Sequence, residues 1–439
     1  MVIQPFQRAV RGRLFWFVDD PARSGARAYR YLEDGLMLIR NGIITAIGEA
    51  AVLQRQLPVG LEVIETGRGL VMPGFIDAHL HLPQTQVIAS HGADLLDWLE
   101  RFTFVEEQRF ANPSHARKVA RVFLDSLIAH GTTTAAVFGS VHSQSVEAFF
   151  TESDARNTRM IAGKVMMDRN APAALMDTAQ SGHDDSLALI ERWHGRGRQH
   201  YAITPRFAIT STEAQLEAAG ALARAYPECT IQTHLAESAR EIETVRSLFP
   251  DAVDYTDVYD RYGLLTPRSL FGHAIHLSDR ERQRMAETGA VSVHCPTSNL
   301  FLGSGLFDWH AARAAGQRIA VATDIGAGTS YSMLATLNEA YKIQKLLGRS
   351  LPPLEAFHAI TLGNAEALGL ADLIGSFRPG READFVVLDA AATPAMAHRM
   401  ERVDSIEDEL FVAMTMGDDR AVTATYIMGV RADAPPQIG

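Results

Sequence analysis

Four short apolar runs in this chain each end in a residue that can bind a cation, and this recurrence constrains the fold more than any other feature. The first, Leu70-Val71-Met72-Pro73-Gly74-Phe75-Ile76-Asp77-Ala78, ends in His79 and His81. In a strand, side chains at i and i+2 share a face, so the two imidazoles emerge together. The others run from Cys229 to His234, from Ser269 to His273 and from Ile319 to Asp324. All are short, apolar or β-branched and bounded by helical patterns, which is how a buried parallel strand reads. One such histidine alone would read as an ordinary core or surface residue. Five cation-binding residues at the C-terminal ends of predicted strands point instead to a (β/α)8 barrel, where that end collects catalytic groups. Nitrogen and oxygen ligands without a cysteine suit zinc or ferrous iron.

Four further strands are expected at Thr132–Phe138, Met160–Met166, Tyr201–Pro205 and Ala290–His294, which completes a count of about eight. Helices are expected from about Pro113 to Ala129, with Val119, Val122, Phe123 and Ile128 on its apolar face, and from about Thr212 to Tyr226. Near the N-terminus, two β-type runs flank Asn41-Gly42, a strong hairpin signal. The last sixty or so residues carry similar runs at Ala383–Asp389 and Val422–Val430. Neither end has enough strands to close its own core, so the termini are expected to pair into one small β domain. The expected fold is α/β: a distorted (β/α)8 TIM barrel over 71–375 with a small β-sandwich from 1–70 and 376–439. At 439 residues and 47% hydrophobic, the chain has material for both.

A net charge of -11 argues against a nucleic-acid partner, whose phosphates call for clustered positive charge. Cys229 and Cys295 are the only cysteines, too few for a disulfide framework or a cysteine-based zinc site. A reducing, cytoplasmic setting is the default expectation. The apolar stretch Leu14–Val18 is too short, and too soon followed by Asp19-Asp20, for a membrane span.

The run Pro73–His81, followed in order by His234, His273 and Asp324 and closed by Gly375–Val387, resembles the amidohydrolase superfamily of metal-dependent hydrolases and deaminases across essentially the whole chain. Within it, His79-Leu80-His81-Leu82-Pro83-Gln84, Leu95–Leu99, Pro205-Arg206-Phe207, His234-Leu235-Ala236-Glu237 and His294-Cys295-Pro296-Thr297-Ser298-Asn299 resemble the guanine deaminase group. That resemblance implies one zinc per chain, with ferrous iron also possible, held by His79, His81, His234, His273 and Asp324. It implies a small purine substrate and a homodimer in the cytoplasm. Another deaminase or chlorohydrolase, acting on a pterin, 8-oxoguanine, an s-triazine or a modified adenosine, is the neighbouring reading. A non-catalytic scaffold is the third.

Chemistry assigns the roles. Deamination adds water to a ring carbon, so Asp324 is placed to take the water's proton, His273 to ligate or polarise the new oxygen, and Glu237 to protonate the adjacent ring nitrogen. Alternatively, Glu237 caps the helix after it. Guanine presents adjacent acceptors at O6 and N7, a pair that an arginine fork reads, and this makes Arg206 the candidate reader; a rim salt bridge is its other reading. Gln84 is placed to read the 2-amino or N3 side. Phe207, Trp98 and Leu99 supply apolar walls, although core packing would equally explain Trp98. Lys164, the best-placed residue to bridge a second metal, reads as a core-edge or surface lysine, so the site is taken as mononuclear.

Overall fold

Eight parallel strands carry the site because their sequences are apolar on both faces. In this computed structural model, which describes residues 8–92 and 94–432, Phe75–His81, Thr132–Phe138 and Ser269–His273 are buried at every position. The sheet runs in chain order through Phe75–His81, Thr132–Phe138, Arg159–Gly163, Gln199–Pro205, Thr230–Leu235, Ser269–His273, Val291–His294 and Arg318–Val321. Every ladder between neighbours in it is parallel. The strand expected at 160–166 is interrupted, its last two residues, Val165–Met166, pairing separately with Gln199–Pro205.

No ladder joins the first and last strands among the described residues; backbone bonds from Asp324 N to His79 O and from His81 N to Ile325 O, together with side chains, complete the ring. Asn364 Nδ2 donates to Ile76 O at 2.6 Å and Val321 O at 2.8 Å, while its Oδ1 accepts from Val321 N. Asp77 accepts from Thr323 N at 3.1 Å and Thr323 Oγ1 at 2.5 Å. Each is a buried polar group whose partners lie across the seam, so loss of either would strand several others.

The helices follow the capping chemistry of their sequences. Pro113–Ala129 starts where Asn112 accepts from Ser114 N and His115 N, with Pro at its first turn. It buries Ala116, Val119, Ala120, Phe123, Leu124, Leu127 and Ile128 against the barrel. Val122 is 43% exposed, because the stripe set by 116, 120, 123 and 127 turns it to solvent. No helix among the described residues is long and apolar enough to cross a membrane.

The two termini share one seven-stranded sheet, in which Phe385–Leu388 joins Val63–Pro73 antiparallel and Tyr29–Arg40 turns through Asn41-Gly42 into Ile43–Glu49. Asn41 and Gly42 both have positive φ, as a tight hairpin turn of this kind requires. The chain crosses from sheet to barrel at Gly74, where a Cβ would lie 2.2 Å from Thr133 Oγ1. A buried ion cluster ties the two together: Arg159 Nε donates to Glu382 Oε2 at 2.8 Å, and Arg198 bonds both Glu382 and Asp384.

Candidate active site

Strand ends bring the predicted ligands together. His81 Nε2 lies 3.2 Å from His234 Nε2, and Asp324 Oδ1 lies 3.4 Å from His79 Nε2 and 3.5 Å from His81 Nε2. His273 Nε2 is 3.7 Å from Asp324 Oδ2. The strand expected to reach Asp324 stops at Val321, and Asp324 itself turns back with φ 54°; His273 has φ 70°. Holding non-glycine ligands in the left-handed region stores roughly 1–3 kcal/mol each, which the hydrogen bonds around them must offset. Asp324 N donates to His79 O at 2.9 Å, and Asp77 fixes neighbouring Thr323.

The donor set fits a divalent cation. His234 Nδ1 donates to Arg206 O at 2.7 Å and His273 Nδ1 to Asn299 Oδ1 at 2.9 Å, which leaves Nε2 of each ring with a lone pair. Two such nitrogens facing each other cannot bond without a shared proton or cation. The His81–His234 separation of 3.2 Å lies within reach of two nitrogens that share one zinc at about 2.0–2.1 Å each. His79 is buried, and neither ring nitrogen has a hydrogen-bond partner among the described residues. Cys295 also comes within 4.8 Å of the ligand atoms of His79, His273 and Asp324, which its sequence position did not reveal. Burial pushes its thiol well above the usual range, and its Sγ faces Val293 O at 3.5 Å.

Burial also separates the titration of these groups. It holds His81 and His234 well below the ordinary imidazole value, in the neutral form a cation needs. Burial would also lower His273, but the Glu237 and Asp324 carboxylates outweigh it and raise that imidazole. Asp324 moves down: burial opposes ionisation, yet the contacts with His79 and His273 prevail. Burial carries Glu237 from 4.5 to about 7, the range of a useful proton donor at neutral pH. Ser304 Oγ donates to Glu237 Oε1 at 2.8 Å, and His273 Nε2 lies 3.3 Å from Oε2.

A cavity sits above these groups, lined by His81, Gln84, Leu95, Trp98, Leu99, Arg206, Phe207, His234, Glu237, His273, Leu302, Asp324 and Ala327. Every sequence-derived site residue except His79 lines it, and His79 lies beneath, against Asp324. Trp98 is both core and wall, 1% exposed, and its indole N–H has no partner among the described residues. Arg206 likewise combines its two readings, because it faces the cavity and its Nη1 bonds both oxygens of Glu107 at 2.8 Å. Glu237 is not the cap of the helix that follows: Ser238 and Glu241 form that capping box, with Glu241 Oε2 accepting from Glu237 N at 2.7 Å. Lys164 lies at neither surface nor metal site, being fully buried with Nζ 2.6 Å from Asp177 Oδ2.

Glu107, Ser304 and Leu302 were missed. Glu107 follows Glu106 in a segment of short helical turns, where a carboxylate pair reads as a solvated face, and the glycine-flanked Ser304 reads as loop. Asn299 stands in a noted motif, but nothing in its spacing shows that it orients His273.

The sequence pattern of the amidohydrolase family matches residues 70–432. The chain is 47% identical to the guanine deaminase of Escherichia coli K12 over 427 residues, 96% of this chain and 97% of that one. Its structure is similar to that of an E. coli guanine deaminase, with a TM-score of 0.94 and 46% identity, covering 97% of this chain and 98% of the other. It is also similar to the guanine deaminase of C. acetobutylicum, solved with guanine bound in the active site: TM-score 0.87, 26% identity, 97% and 100% covered.

Proposed function

The chain belongs to the amidohydrolase family, and from that premise we propose that it hydrolyses guanine to xanthine and ammonia. One observation carries this reading: a single cavity is lined by an arginine guanidinium, a glutamine amide and a carboxyl group poised to donate a proton, and it sits on a cluster of four histidines and an aspartate.

A zinc or ferrous ion held by His79, His81, His234, His273 and Asp324 would supply Lewis-acid activation of water at neutral pH. The rest is done by the chain. Arg206 donates to the O6 and N7 edge, and Gln84 approaches the 2-amino and N3 side. Phe207, Trp98 and Leu99 close the apolar walls and exclude bulk water. Asp324 takes the proton of the water that adds to C2. Protonated Glu237 donates to the ring nitrogen beside that carbon, so charge does not accumulate there as the new C–O bond forms. His273, held by Asn299, polarises the oxygen of the tetrahedral adduct through a hydrogen bond. The C2–N bond then breaks: the amino group leaves as ammonia with the proton passed on from Asp324, and the C2 hydroxyl gives its remaining proton to Glu237 as the 2-oxo group forms, which restores the donor. By resemblance we read the enzyme as a zinc-dependent cytoplasmic homodimer, and the chain as a barrel over 71–375 with 1–70 and 376–439 forming the second unit.

Ammonia release from the purified protein over a panel of guanine, 8-oxoguanine, a pterin, an s-triazine and a modified adenosine tests the proposal. Guanine should give the highest kcat/KM. No release from guanine, or faster turnover of the pterin or triazine, would replace the reading.

A further inference from the structure

Glu107 is fully buried yet does not line the cavity, although it contacts two of the side chains that do. It ends the short helix Phe104–Glu107. Both its oxygens lie 2.8 Å from Arg206 Nη1, and Oε1 also lies 3.3 Å from Gln84 Nε2. On the same helix, the Phe104 ring stands 5.6 Å from the Arg206 guanidinium carbon. Gln84 Oε1 accepts in turn from Gly326 N at 3.1 Å, so the amide is held at both ends and its orientation is fixed.

Nη1 is thereby turned to Glu107, and the Nε and Nη2 donors of the guanidinium remain. Nε and Nη2 make no hydrogen bond to a described residue, and Arg206 faces the cavity. An uncompensated arginine in a buried pocket selects anions, because its charge is poorly screened there. Paired with a buried carboxylate, the same group carries no net charge into the pocket and keeps only its directional donors. Such a pair reads neutral acceptors.

We propose that Glu107 is a positioning and specificity residue: by neutralising Arg206 and orienting Gln84, it tunes the pocket to neutral oxo-purines and against purine anions. This rests on the purine reading above and adds a consequence to it. Deamination turns a neutral aminopurine into a more acidic dioxopurine, so a pocket without the carboxylate would retain its product.

The test is calorimetric binding, independent of turnover, with xanthine and hypoxanthine at a pH where xanthine is an anion and hypoxanthine is neutral. Both present the 6-oxo group. In Glu107→Gln, affinity for xanthine relative to hypoxanthine should rise at least about 5-fold over wild type, while kcat/KM for guanine falls about 10-fold or more. Glu107→Asp keeps the charge and should keep the wild-type ratio, which a merely structural role for the side chain does not predict. If Glu107→Gln does not fold, the double variant Arg206→Gln/Glu107→Gln should, because it removes the charge that the single change strands. An unchanged ratio in Glu107→Gln, a shifted ratio in Glu107→Asp, or a double variant no better folded than the single would overturn the inference while guanine turnover by wild type stands. Wild type that binds neither purine would instead remove the purine reading and this inference with it.

Discussion

Exchanging Glu237 for Gln keeps the shape of the side chain and removes its transferable proton, which makes it the sharpest probe of the proposed chemistry. The Gln oxygen can still accept from Ser304 Oγ, 2.8 Å away in the parent, so the wall of the cavity should persist. A positioned general acid is worth about 10² to 10⁴ in rate, and kcat for guanine should therefore fall at least ~100-fold, about 2.7 kcal/mol of barrier. A second consequence concerns stability. Burial puts the Glu237 carboxyl at about 7 in the fold against 4.5 ordinarily, so the folded state holds the proton more tightly than the open chain. The favourable term is complete below about 4.5, declines as pH rises and is gone above about 7, a span worth about 3 kcal/mol. Glu237→Gln lacks that decline, so the metal-free variant should gain up to about 3 kcal/mol on wild type between acid pH and pH 8. Activity has the same sign: the donor must be protonated, and wild-type kcat/KM should drop above about pH 7 while the variant's residual rate does not. Ammonia release, elemental analysis and denaturant melts of chelator-stripped protein measure all three. Turnover within about 3-fold of wild type, or identical pH–stability curves, would refute Glu237 as a buried proton donor.

Arg206→Ala should cost about 2–4 kcal/mol in kcat/KM for guanine, far more than for a purine lacking the 6-oxo group, as compared by steady-state kinetics on both. It should also destabilise the fold by about 3–5 kcal/mol in denaturant melts, because Glu107 is left buried without its cation; equal losses on both purines would make Arg206 a rim residue. Elemental analysis should find one divalent metal per chain, lost in His81→Ala; two metals per chain would overturn the mononuclear reading. Gly74→Ala should destabilise by about 1–3 kcal/mol, since the new Cβ would fall 2.2 Å from Thr133 Oγ1 at the passage from sheet to barrel; unchanged melting would show that Thr133 moves aside freely.

The convergence of the four histidines and Asp324 was legible because parallel strands buried on both faces read as unbroken apolar runs, and a histidine or aspartate at the end of one stands out. The Asn41-Gly42 hairpin was legible because few residue pairs accept two positive φ values. What stayed hidden depends on contacts between distant residues. Asn364 closing the barrel, Glu107 beneath Arg206 and Asp177 beside Lys164 are ordinary polar residues until the fold brings a partner. The segment 82–111 is a chain of short turns, including a π-helical one at Leu99–Thr103, whose broken periodicity gives no element to recognise, although it supplies Gln84, Trp98, Leu99 and Glu107. Asp324 illustrates both outcomes, since its residue type marked it as a ligand while its left-handed turn beyond the strand had no local signal.

The seam between first and last strands sets an order of events during synthesis. The Asp77–Thr323 hydrogen bond spans 246 residues and the Asn364–Ile76 bond 288. At translation rates of 5–20 residues per second, His79 and His81 leave the ribosome roughly 12–50 s before the aspartate that completes their site. Until then the histidine pair is an open chelator in a chain whose first strand has no closing partner. Nascent chains arrested before residue 324 should thus hold zinc only weakly, and those released past residue 364 tightly; equal retention by both would separate metal capture from barrel closure. On the proposed metal site, loading would wait for the end of translation, and the free metal present at that moment would decide which ion the finished barrel encloses.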